Sequence, residues 1–462
     1  MAGTYIKGVS KILSGVYSRI VATVKSVTMG SRGIVAYPFT ADWGPVNILV
    51  PQTLGEFSET YNAEKTKLTA SKIYLHASKG APCKVLAYRM ATDDAAKGTC
   101  TLGADSIQLE TLYPSARQFT AVVKEGVESG TKVIDIVENG VKLATAKGAD
   151  VATLVKQLNA SDFVRVTKAG AVLPVANAGV AFTGGKNGDT VTVVQYSAFL
   201  KDVEADGTAN GFSLDGVSDT AIITTVETWL RRVRNEGLYI SFANGGPTDW
   251  DTDITVANTQ SIAFNYRGIV NVGNGCNGYT PAEMAIFVAA RIAAIALNRT
   301  ITDETVPYQK VNKKLNVSQR EAAKQSGTLV FVSNGEFIEI DEGINTLTGP
   351  GGDESKEFGK IRVSNTLDYI TKDLEAFGNE YKKTKSNTDE ARQCYAVLVA
   401  DSYLRPLAND EVIKQGYFYR PDPEYHGKDA VYKPQIDEAY FDSDITPVDS
   451  MERIYQKIGV NF

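Results

Sequence analysis

The chain has 462 residues, of which 43% are hydrophobic and 22% are charged, and its formal net charge is −6. These fractions are typical of globular proteins and exclude global disorder, while the length predicts several domains of about 150 residues each. The acidic balance gives no indication of binding to nucleic acid or to an anionic membrane. The N-terminus lacks the apolar run of a signal peptide, and the longest apolar stretch is interrupted by Arg291 and too short to span a bilayer. We therefore expect a soluble protein made in the cytoplasm.

The N-terminal residues 1–25 are small and polar with scattered apolar positions, which predicts an extended arm. An α/β pattern begins after this arm. The segments 33–39 (GIVAYPF), 46–50 (VNILV) and 82–90 (PCKVLAYRM) are typical of strands, and two helical segments lie between the last two. Residues 26–90 are therefore predicted to form the first part of an α/β core domain.

Residues 91–183 have a different pattern, in which strand-like segments are separated by short turns containing Gly and Asn. Within VIDIVENGVKLAT, Asn139 and Gly140 form the two-residue signal of a β-hairpin. One short helical segment, DVATLVKQLN, interrupts the strands. This pattern predicts a β-rich domain, resembling a sandwich or barrel, that is inserted into the α/β chain.

The α/β pattern returns over residues 184–347, where strands such as 238–244 (LYISFAN) and 267–272 (RGIVNV) alternate with long helices. Such alternation predicts a parallel, doubly wound sheet in a discontinuous core domain. A second Asn–Gly hairpin is predicted at Asn334–Gly335.

The last part of the chain, residues 348–462, begins with a linker rich in Gly, Pro and charge. Two helices are predicted next, with Asn365 as one N-cap and Asn387 or Thr388 as the other. The remainder is rich in Tyr and ends in MERIYQKIGVNF, where apolar residues recur at nearly strand-like spacing. We predict an α+β C-terminal domain whose last residues, about 450–462, form a second arm.

One stretch, GNGCNG at residues 273–278, matches the G-x-G-x-x-G pattern of dinucleotide-binding loops. In such a site the helix opens inside the motif and an acidic residue follows about twenty residues later. Here Thr280 and Pro281 predict a later helix start, and Asn298 and Arg299 stand at the acidic position. A nucleotide-binding α/β enzyme that uses this loop remains an alternative, and a packing turn is the favoured interpretation.

Other chemical signals are incomplete. The acidic run 249–253 (DWDTD) lacks the Gly and Glu that a calcium loop needs at its sixth and twelfth positions, where Ile254 and Gln260 stand. The four cysteines form no C-x-x-C pair, and His76 and His426 have no evident catalytic partners. We predict no catalytic residue, no cofactor and no metal site.

A compact basic patch is formed by YKKTK (381–385) with Arg392 nearby. It is typical of a solvated surface, and its functional interpretation is a docking site for an acidic protein partner. Nucleic acid is a weaker candidate because the patch is small and the chain is acidic.

The order of several motifs resembles the tail sheath proteins of contractile phage tails and of phage-tail-like bacteriocins, most closely those of Gram-positive phages and prophages. The similar segments are LSGVYSRI (13–20), FTGGKNGDTVTVVQY (182–196), GYTPAEMAIFVAARIAAIALNRT (278–300), EGINTLT (342–348), RVSNTLDYI (362–370) and residues 378–413. Ser14 replaces the proline that is usual in the first of them.

The resemblance implies a subtilisin-like core domain without the protease triad, an outer β-rich domain and a C-terminal domain that faces the tail tube. It also implies stacked six-subunit rings that wind around the tube, in a virion tail or a tail-like particle. The implied partners are further copies of the chain, the tail tube protein, and the baseplate and tail terminator proteins, without nucleic acid or membrane insertion. Contraction would drive the tube through the target envelope, for DNA ejection or for bacteriocin killing.

Two hypotheses about residues follow. The resemblance implies that extended N- and C-terminal arms add strands to the C-terminal domains of neighbouring subunits. Physical chemistry supports this exchange, because a terminal strand can join a neighbour's sheet edge through main-chain hydrogen bonds, and such a head-to-tail contact propagates as a helix. The residues assigned to these strands are Val16, Tyr17, Ile20, Ala22 and Val24 in the first arm, and Ile454, Tyr455, Ile458 and Val460 in the second. The residues assigned to the tube contact are Lys382, Lys383, Lys385 and Arg392. A non-contracting filament remains a further alternative.

Overall fold

The computed structural model describes residues 32–352 and 354–460. These residues divide into two compact units: residues 32–372 with 449–460, called the core unit, and Asp373–Val448, called the C-terminal unit. The N-terminal strand residues assigned from the sequence lie outside the described residues; they are Val16, Tyr17, Ile20, Ala22 and Val24.

The secondary structure of the core unit begins with an α/β segment and continues through a run of short strands. The first segment contains β1 (Ile34–Phe39), β2 (Leu49–Gln52), α1 (Leu54–Tyr61), α2 (Ala70–Gly80) and β3 (Lys84–Arg89). The run of strands contains β4 (Thr99–Thr101), β5 (Ile107–Thr111), β6 (Phe119–Glu125), β7 (Lys132–Glu138), β8 (Val141–Gly148), α3 (Val151–Asn159), β9 (Val164–Ala169) and β10 (Val180–Ala181).

Helices and strands then alternate to the end of the central sheet. This part contains α4 (Val193–Asp206), β11 (Gly211–Ser213), α5 (Thr220–Asn235), β12 (Ser241–Gly245), α6 (Asp249–Thr252), α7 (Ile254–Phe264), β13 (Ile269–Val272), α8 (Pro281–Ala294), β14 (Thr305–Val306), α9 (Val317–Gln325), β15 (Thr328–Leu329), β16 (Phe331–Ser333) and β17 (Ile338–Ile340). The last part contains α10 (Ile361–Lys382), α11 (Asp389–Val399), α12 (Arg405–Asn409), β18 (Phe418–Pro421), α13 (Pro423–His426) and β19 (Phe441–Asp444).

The central sheet has the strand order β15-β13-β12-β11-β1-β3-β2. All neighbouring pairs are parallel except β2 with β3. One face of the sheet packs on α1, α2 and α8, and the other face packs on α4 and α5. The mixed α/β fold predicted from the sequence is confirmed; the subtilisin-like comparison stays a prediction.

Helix α8 shows how the sequence sets the elements around the sheet. Thr280 and Glu283 form a capping box at its start: the Thr280 side chain accepts from the Glu283 amide at 3.1 Å, and Glu283 Oε2 accepts from the Thr280 amide at 2.8 Å. The helix begins at Pro281, as the sequence predicted. Its remaining residues are nearly all apolar and buried, so it lies in the core rather than at the surface.

Residues 99–181 contain two antiparallel sheets, ordered β10-β6-β7-β8 and β4-β5-β9, with α3 packed against β8 and β9. The hairpin of β7 and β8 turns at Asn139 and Gly140, whose φ angles of 50° and 81° fit the predicted two-residue turn. Both sheets belong to the same compact unit as the central sheet, so a separate inserted domain over 91–183 stays a prediction.

The C-terminal unit has a small core around Tyr395, Val399, Tyr403 and Leu407. Its sheet has two strands, β18 and β19, paired antiparallel. Thr388 caps α11, as predicted: its side chain accepts from the Ala391 amide at 3.2 Å.

The N-cap assigned to Asn365 is wrong. Helix α10 begins at Ile361, so Asn365 lies inside the helix, where it is 9% exposed and donates to the Ile292 carbonyl oxygen at 3.4 Å. Its tertiary contact, which has no local sequence signal, replaces the capping role. Across the described ranges, no helix is both long and apolar enough to cross a membrane.

Candidate assembly surfaces

The glycine loop at residues 273–278 is filled by the protein itself. The amide of Gly275 donates to Asp251 Oδ1 at 2.7 Å, and the amide of Gly278 donates to Asn312 Oδ1 at 2.6 Å. A Cβ atom added to Gly275 would lie 1.9 Å from the Tyr279 carbonyl oxygen. The glycines therefore permit close packing, and the amides that would face a phosphate already bind side chains of this chain.

The crevice at the carboxyl ends of parallel strands, where α/β sheets usually bind ligands, is also closed. A Cβ on Gly245, the last residue of β12, would meet the Pro281 carbonyl oxygen at 2.2 Å, and one on Gly246 would meet the Trp250 ring at 2.1 Å. Behind this edge, Asn271 donates to Ser261 Oγ at 2.8 Å and to a backbone carbonyl. The polar side chains near this edge of the sheet therefore form hydrogen bonds within the protein.

Both histidines form hydrogen bonds within the fold. His76 is fully buried and its Nδ1 lies 2.8 Å from the Tyr308 hydroxyl; burial lowers its pKa to about 4. His426 Nε2 accepts from the Tyr440 amide at 2.8 Å, and burial lowers its pKa as well. Both rings therefore stay neutral near pH 7. The described ranges also contain no group of three or more His, Cys, Asp or Glu side chains that could hold a metal ion.

The basic patch assigned to the tube contact is partly engaged within the C-terminal unit. Lys383 forms an ion pair with Glu380 at 2.6 Å. The side chain of Arg392 is 13% exposed and contacts Asp389 and the Asn387 side-chain oxygen. Lys382 and Lys385 are exposed and have no ion pair among the described residues. The free positive charge of the patch therefore comes from these two lysines.

These two lysines border a groove of about 620 Å³. Tyr381, Tyr395 and Phe441 line its apolar part, and Ile436 at its side is 95% exposed. Asn387 holds the opposite wall by donating to the carbonyl oxygens of residues 436 and 438 at 3.0 and 2.7 Å. The groove combines an aromatic surface with a positive border.

The two-stranded sheet adjoins this groove through Phe441, the first residue of β19. Phe441 stacks on Tyr419 with ring centroids 5.4 Å apart, which fixes the register of β18 and β19. Among the described residues β19 pairs only with β18, so none of them forms a strand on its outer edge. This edge is a chemically competent acceptor for an added strand.

The predicted C-terminal strand residues are exposed. Ile454, Tyr455, Ile458 and Val460 are 68%, 89%, 82% and 66% exposed, and residues 449–460 have no regular secondary structure. Their apolar side chains have no covering surface among the described residues. Glu452, just before them, contacts Thr302 and Lys360 of the core unit. Sequence reasoning missed Glu452, because its partners lie far away along the chain.

Two models of phage tail sheath proteins match the chain. The model of the central domain matches residues 189–346, and the model of the C-terminal domain matches residues 353–461. The tail sheath protein of Clostridium phage phiCD119 is 24% identical over 202 residues, which are 44% of this chain and 54% of the phage protein. The uncharacterized protein YqbK of Bacillus subtilis is 25% identical over an alignment of 505 residues that covers 99% of both chains.

Solved structures agree with these matches at the level of the fold. The sheath tail protein of Desulfitobacterium hafniense superimposes with a TM-score of 0.73 at 23% identity, covering 96% of this chain and 99% of that one. The helical sheath of the anti-feeding prophage in its contracted state gives a TM-score of 0.54 at 10% identity, covering 98% and 99%.

The chain belongs to the family of phage tail sheath proteins. The resemblance drawn from the sequence is confirmed. The chain is a tail sheath subunit, a structural component of a phage tail or of a related tail-like particle.

Proposed function

We propose that this subunit assembles into stacked six-subunit rings around a tail tube, and that the sheath contracts when the subunits repack as rigid bodies. The observation that carries the proposal is a complementary pair within one chain: a two-stranded sheet with an open edge and an exposed apolar terminal segment. The baseplate and tail terminator proteins are the proposed partners at the ends of the sheath.

The open sheet supports strand exchange. A two-stranded sheet is marginal in water, and added strands satisfy its edge groups while covering its side chains. The segment 453–460 has the length of an ordinary strand and would place Ile454, Ile458 and Val460 on one face of it. In this proposal these side chains cover a neighbour's sheet, so the apolar surface becomes buried only in the assembly.

The charges of the N-terminal segment support a second exchanged strand, which contains Val16, Tyr17, Ile20, Ala22 and Val24. Residues 1–31 contain no Asp or Glu, and their charged side chains are Lys7, Lys11, Arg19 and Lys25. The strand β19 presents Asp444, which is exposed, and Asp442, which also pairs with Arg420. Opposite charges of this kind favour correct pairing and speed association.

The core unit supports contraction by rigid-body repacking. Its helices cover both faces of the central sheet, and such close-packed interiors move as blocks. Arms that remain joined while the blocks rotate would preserve the connectivity of the sheath. The energy would come from new contacts between subunits, starting from a metastable extended state, so contraction would need no nucleotide.

We propose that the groove beside Lys382 and Lys385 faces the tube. An acidic, partly apolar surface of the tube protein would match its positive border and its aromatic lining. Lys383 and Arg392 would contribute less, since their charges are already paired inside the chain.

Strand exchange is tested with a proline in the C-terminal segment. Gln456→Pro removes one backbone N–H and keeps all apolar side chains, whereas Gln456→Ala keeps the N–H. We expect both variants to be folded monomers, and only the alanine variant to form sheaths with the tube protein in electron micrographs. Normal sheaths from the proline variant would contradict pairing by this segment.

The tube contact is tested by charge reversal. We expect Lys382→Glu with Lys385→Glu to weaken binding to assembled tubes, with a smaller loss at high salt, because both charges are exposed. Lys428→Glu is the control, since Lys428 is exposed on the same unit and has no ion pair among the described residues. Equal binding by both variants in co-sedimentation would place the tube contact elsewhere.

A further inference from the structure

The last described segment of the chain belongs structurally to the core unit and not to the unit that precedes it. Residues 373–448 form the C-terminal unit, and residues 449–460 group with residues 32–372. The family model of the C-terminal domain extends without interruption to residue 461. Sequence similarity alone would therefore assign this segment to the C-terminal unit, although it groups with the core unit.

Among the described residues, the side chain of Glu452 makes the polar contacts between this segment and the rest of the core unit. Glu452 Oε1 accepts from the Thr302 hydroxyl at 2.9 Å, and Glu452 Oε2 forms an ion pair with Lys360 Nζ. The side chains of Glu452 and Lys360 are 13% and 21% exposed. In contrast, Met451 and Ile454, on either side of the contact, are 81% and 68% exposed.

The partners of Glu452 are held in place by the core unit. Thr302 Oγ1 also accepts from the Gly343 amide at 2.9 Å, and Lys360 lies 3.4 Å from Glu342, which pairs with Lys324. Burial raises the pKa of Glu452, but Lys360 and Thr302 outweigh it, so the net pKa lies below its usual value. A partly buried charge with a fixed cation and a fixed donor is a stronger attachment than an exposed ion pair.

We propose that Glu452 is a positioning residue that anchors the root of the C-terminal arm to the core unit, so that the arm leaves the body at Arg453. This inference depends on the proposed strand exchange for its consequence: tension on an exchanged arm is borne by Thr302 and Lys360 in the core unit. In the proposed exchange, the C-terminal unit receives the C-terminal arm of a neighbour, while the chain's own C-terminal arm starts from the core unit.

The anchor is tested first in the soluble full-length chain, by hydrogen exchange with mass spectrometry. Glu452→Gln should raise exchange of the amides of residues 450 and 452, which donate to Asp449 Oδ1 and to the Ser450 carbonyl oxygen, by about tenfold, the change expected for loss of one charge-assisted contact. Arg453→Gln is the matched control and should leave this exchange unchanged. The amide of Val448, which donates to the Val412 carbonyl oxygen at 3.0 Å, is the internal reference. Equal exchange in the parent and in Glu452→Gln would overturn the anchor.

The second test fixes the contact covalently. A carbodiimide should join Lys360 to Glu452 without a spacer, and peptide mass spectrometry would identify the product. We expect subunits that carry this amide to form sheaths as well as untreated subunits do. If untreated subunits assemble and cross-linked ones do not, the root must detach during assembly and the anchor is wrong. If neither assembles under any condition, the proposed exchange fails, while the exchange measurement still decides the anchor.

Discussion

The central sheet of the core unit is covered by helices on both faces, whereas the C-terminal unit has a two-stranded sheet beside exposed apolar residues. Asn271 is fully buried in the core unit and bonds to Ser261 and to the backbone of α7. In the C-terminal unit, Val431 and Ile436 are 75% and 95% exposed. Both regions contain stacked aromatic pairs, but Phe212 and Phe242 of the core unit are fully buried, whereas Tyr419 and Phe441 of the C-terminal unit are half-buried.

Under the proposed function, this difference separates a region that folds alone from one that association would complete. Burial of apolar surface is the main favourable term in folding, so the core unit holds most of the stability of the monomer. In the proposed assembly, the exposed apolar residues of the C-terminal unit and of the segment 453–460 would become buried against neighbouring subunits. Substitutions should therefore affect monomer stability in one region and assembly in the other.

The largest expected effect comes from a comparison of two phenylalanines, one in each unit. Phe212 is fully buried in β11 and stacks on Phe242 with centroids 4.8 Å apart. We expect Phe212→Ala to lower the free energy of unfolding by about 3–5 kcal/mol because it leaves a cavity. Phe441→Ala should lower it by about 1 kcal/mol and prevent sheath formation. Urea unfolding of the soluble chain gives both values, and equal losses would contradict the comparison.

The next largest expected effect comes from a comparison of two arginines, one in each unit. Arg234 is buried and donates to both oxygens of Asp368 at 2.8 Å, while Arg420 pairs with Asp442 at 2.8 Å with its side chain 53% exposed. Arg234→Met leaves the buried Asp368 carboxylate with only the more distant Arg267, at 3.7 Å, and should cost about 3 kcal/mol. Arg420→Met should cost less than about 1 kcal/mol, because water screens this pair. A loss in Arg420→Met as large as that in Arg234→Met would count against this view of the C-terminal unit.

The next expected effect, on the pH dependence of the stability of the core unit, is smaller than that of the substitutions above. Burial lowers the pKa of His76 to about 4, below its unfolded value of about 6.5, so the unfolded chain binds the extra proton. Stability is therefore complete above pH 6.5 and falls as the pH drops toward 4, by at most about 3 kcal/mol from this group. His76→Gln should remove this part of the pH dependence in denaturation curves between pH 4 and 7. Identical slopes in both chains would contradict the assignment.

The smallest expected effect on the monomer comes from removing residues 453–462. Their apolar side chains contact little in the described part of the chain, so the free energy of unfolding should change by less than about 0.5 kcal/mol. Sheath formation should be lost completely. A truncated chain that is clearly destabilised would mean that the segment packs on its own subunit.

The elements of the fold that could be predicted are those set by local sequence patterns. The alternation of strands and helices predicted the central sheet, Asn139–Gly140 predicted a hairpin, and Thr280 with Pro281 predicted the start of α8. In each case the signal and the structure lie within a few residues of one another. The N-cap assigned to Asn365 failed because α10 begins four residues earlier, at Ile361.

The candidate assembly surfaces could be predicted less well from the sequence than the fold could. The sequence indicated a basic patch, but the pairing of Arg392 with Asp389 and the groove beside it depend on packing. Glu452 had no signal, because Thr302 lies 150 residues away in the chain. Such contacts are set by tertiary structure, and residue types or spacing do not report them.

The most direct test of the account compares hydrogen exchange in the soluble subunit and in the assembled sheath. We expect new protection in β18, in β19 and over residues 453–460, with the amides of the central sheet unchanged, because the proposed exchange pairs these segments in the assembly. Protection confined to the outer helices of the core unit, with the sheet of the C-terminal unit and residues 453–460 still exchanging freely, would contradict it.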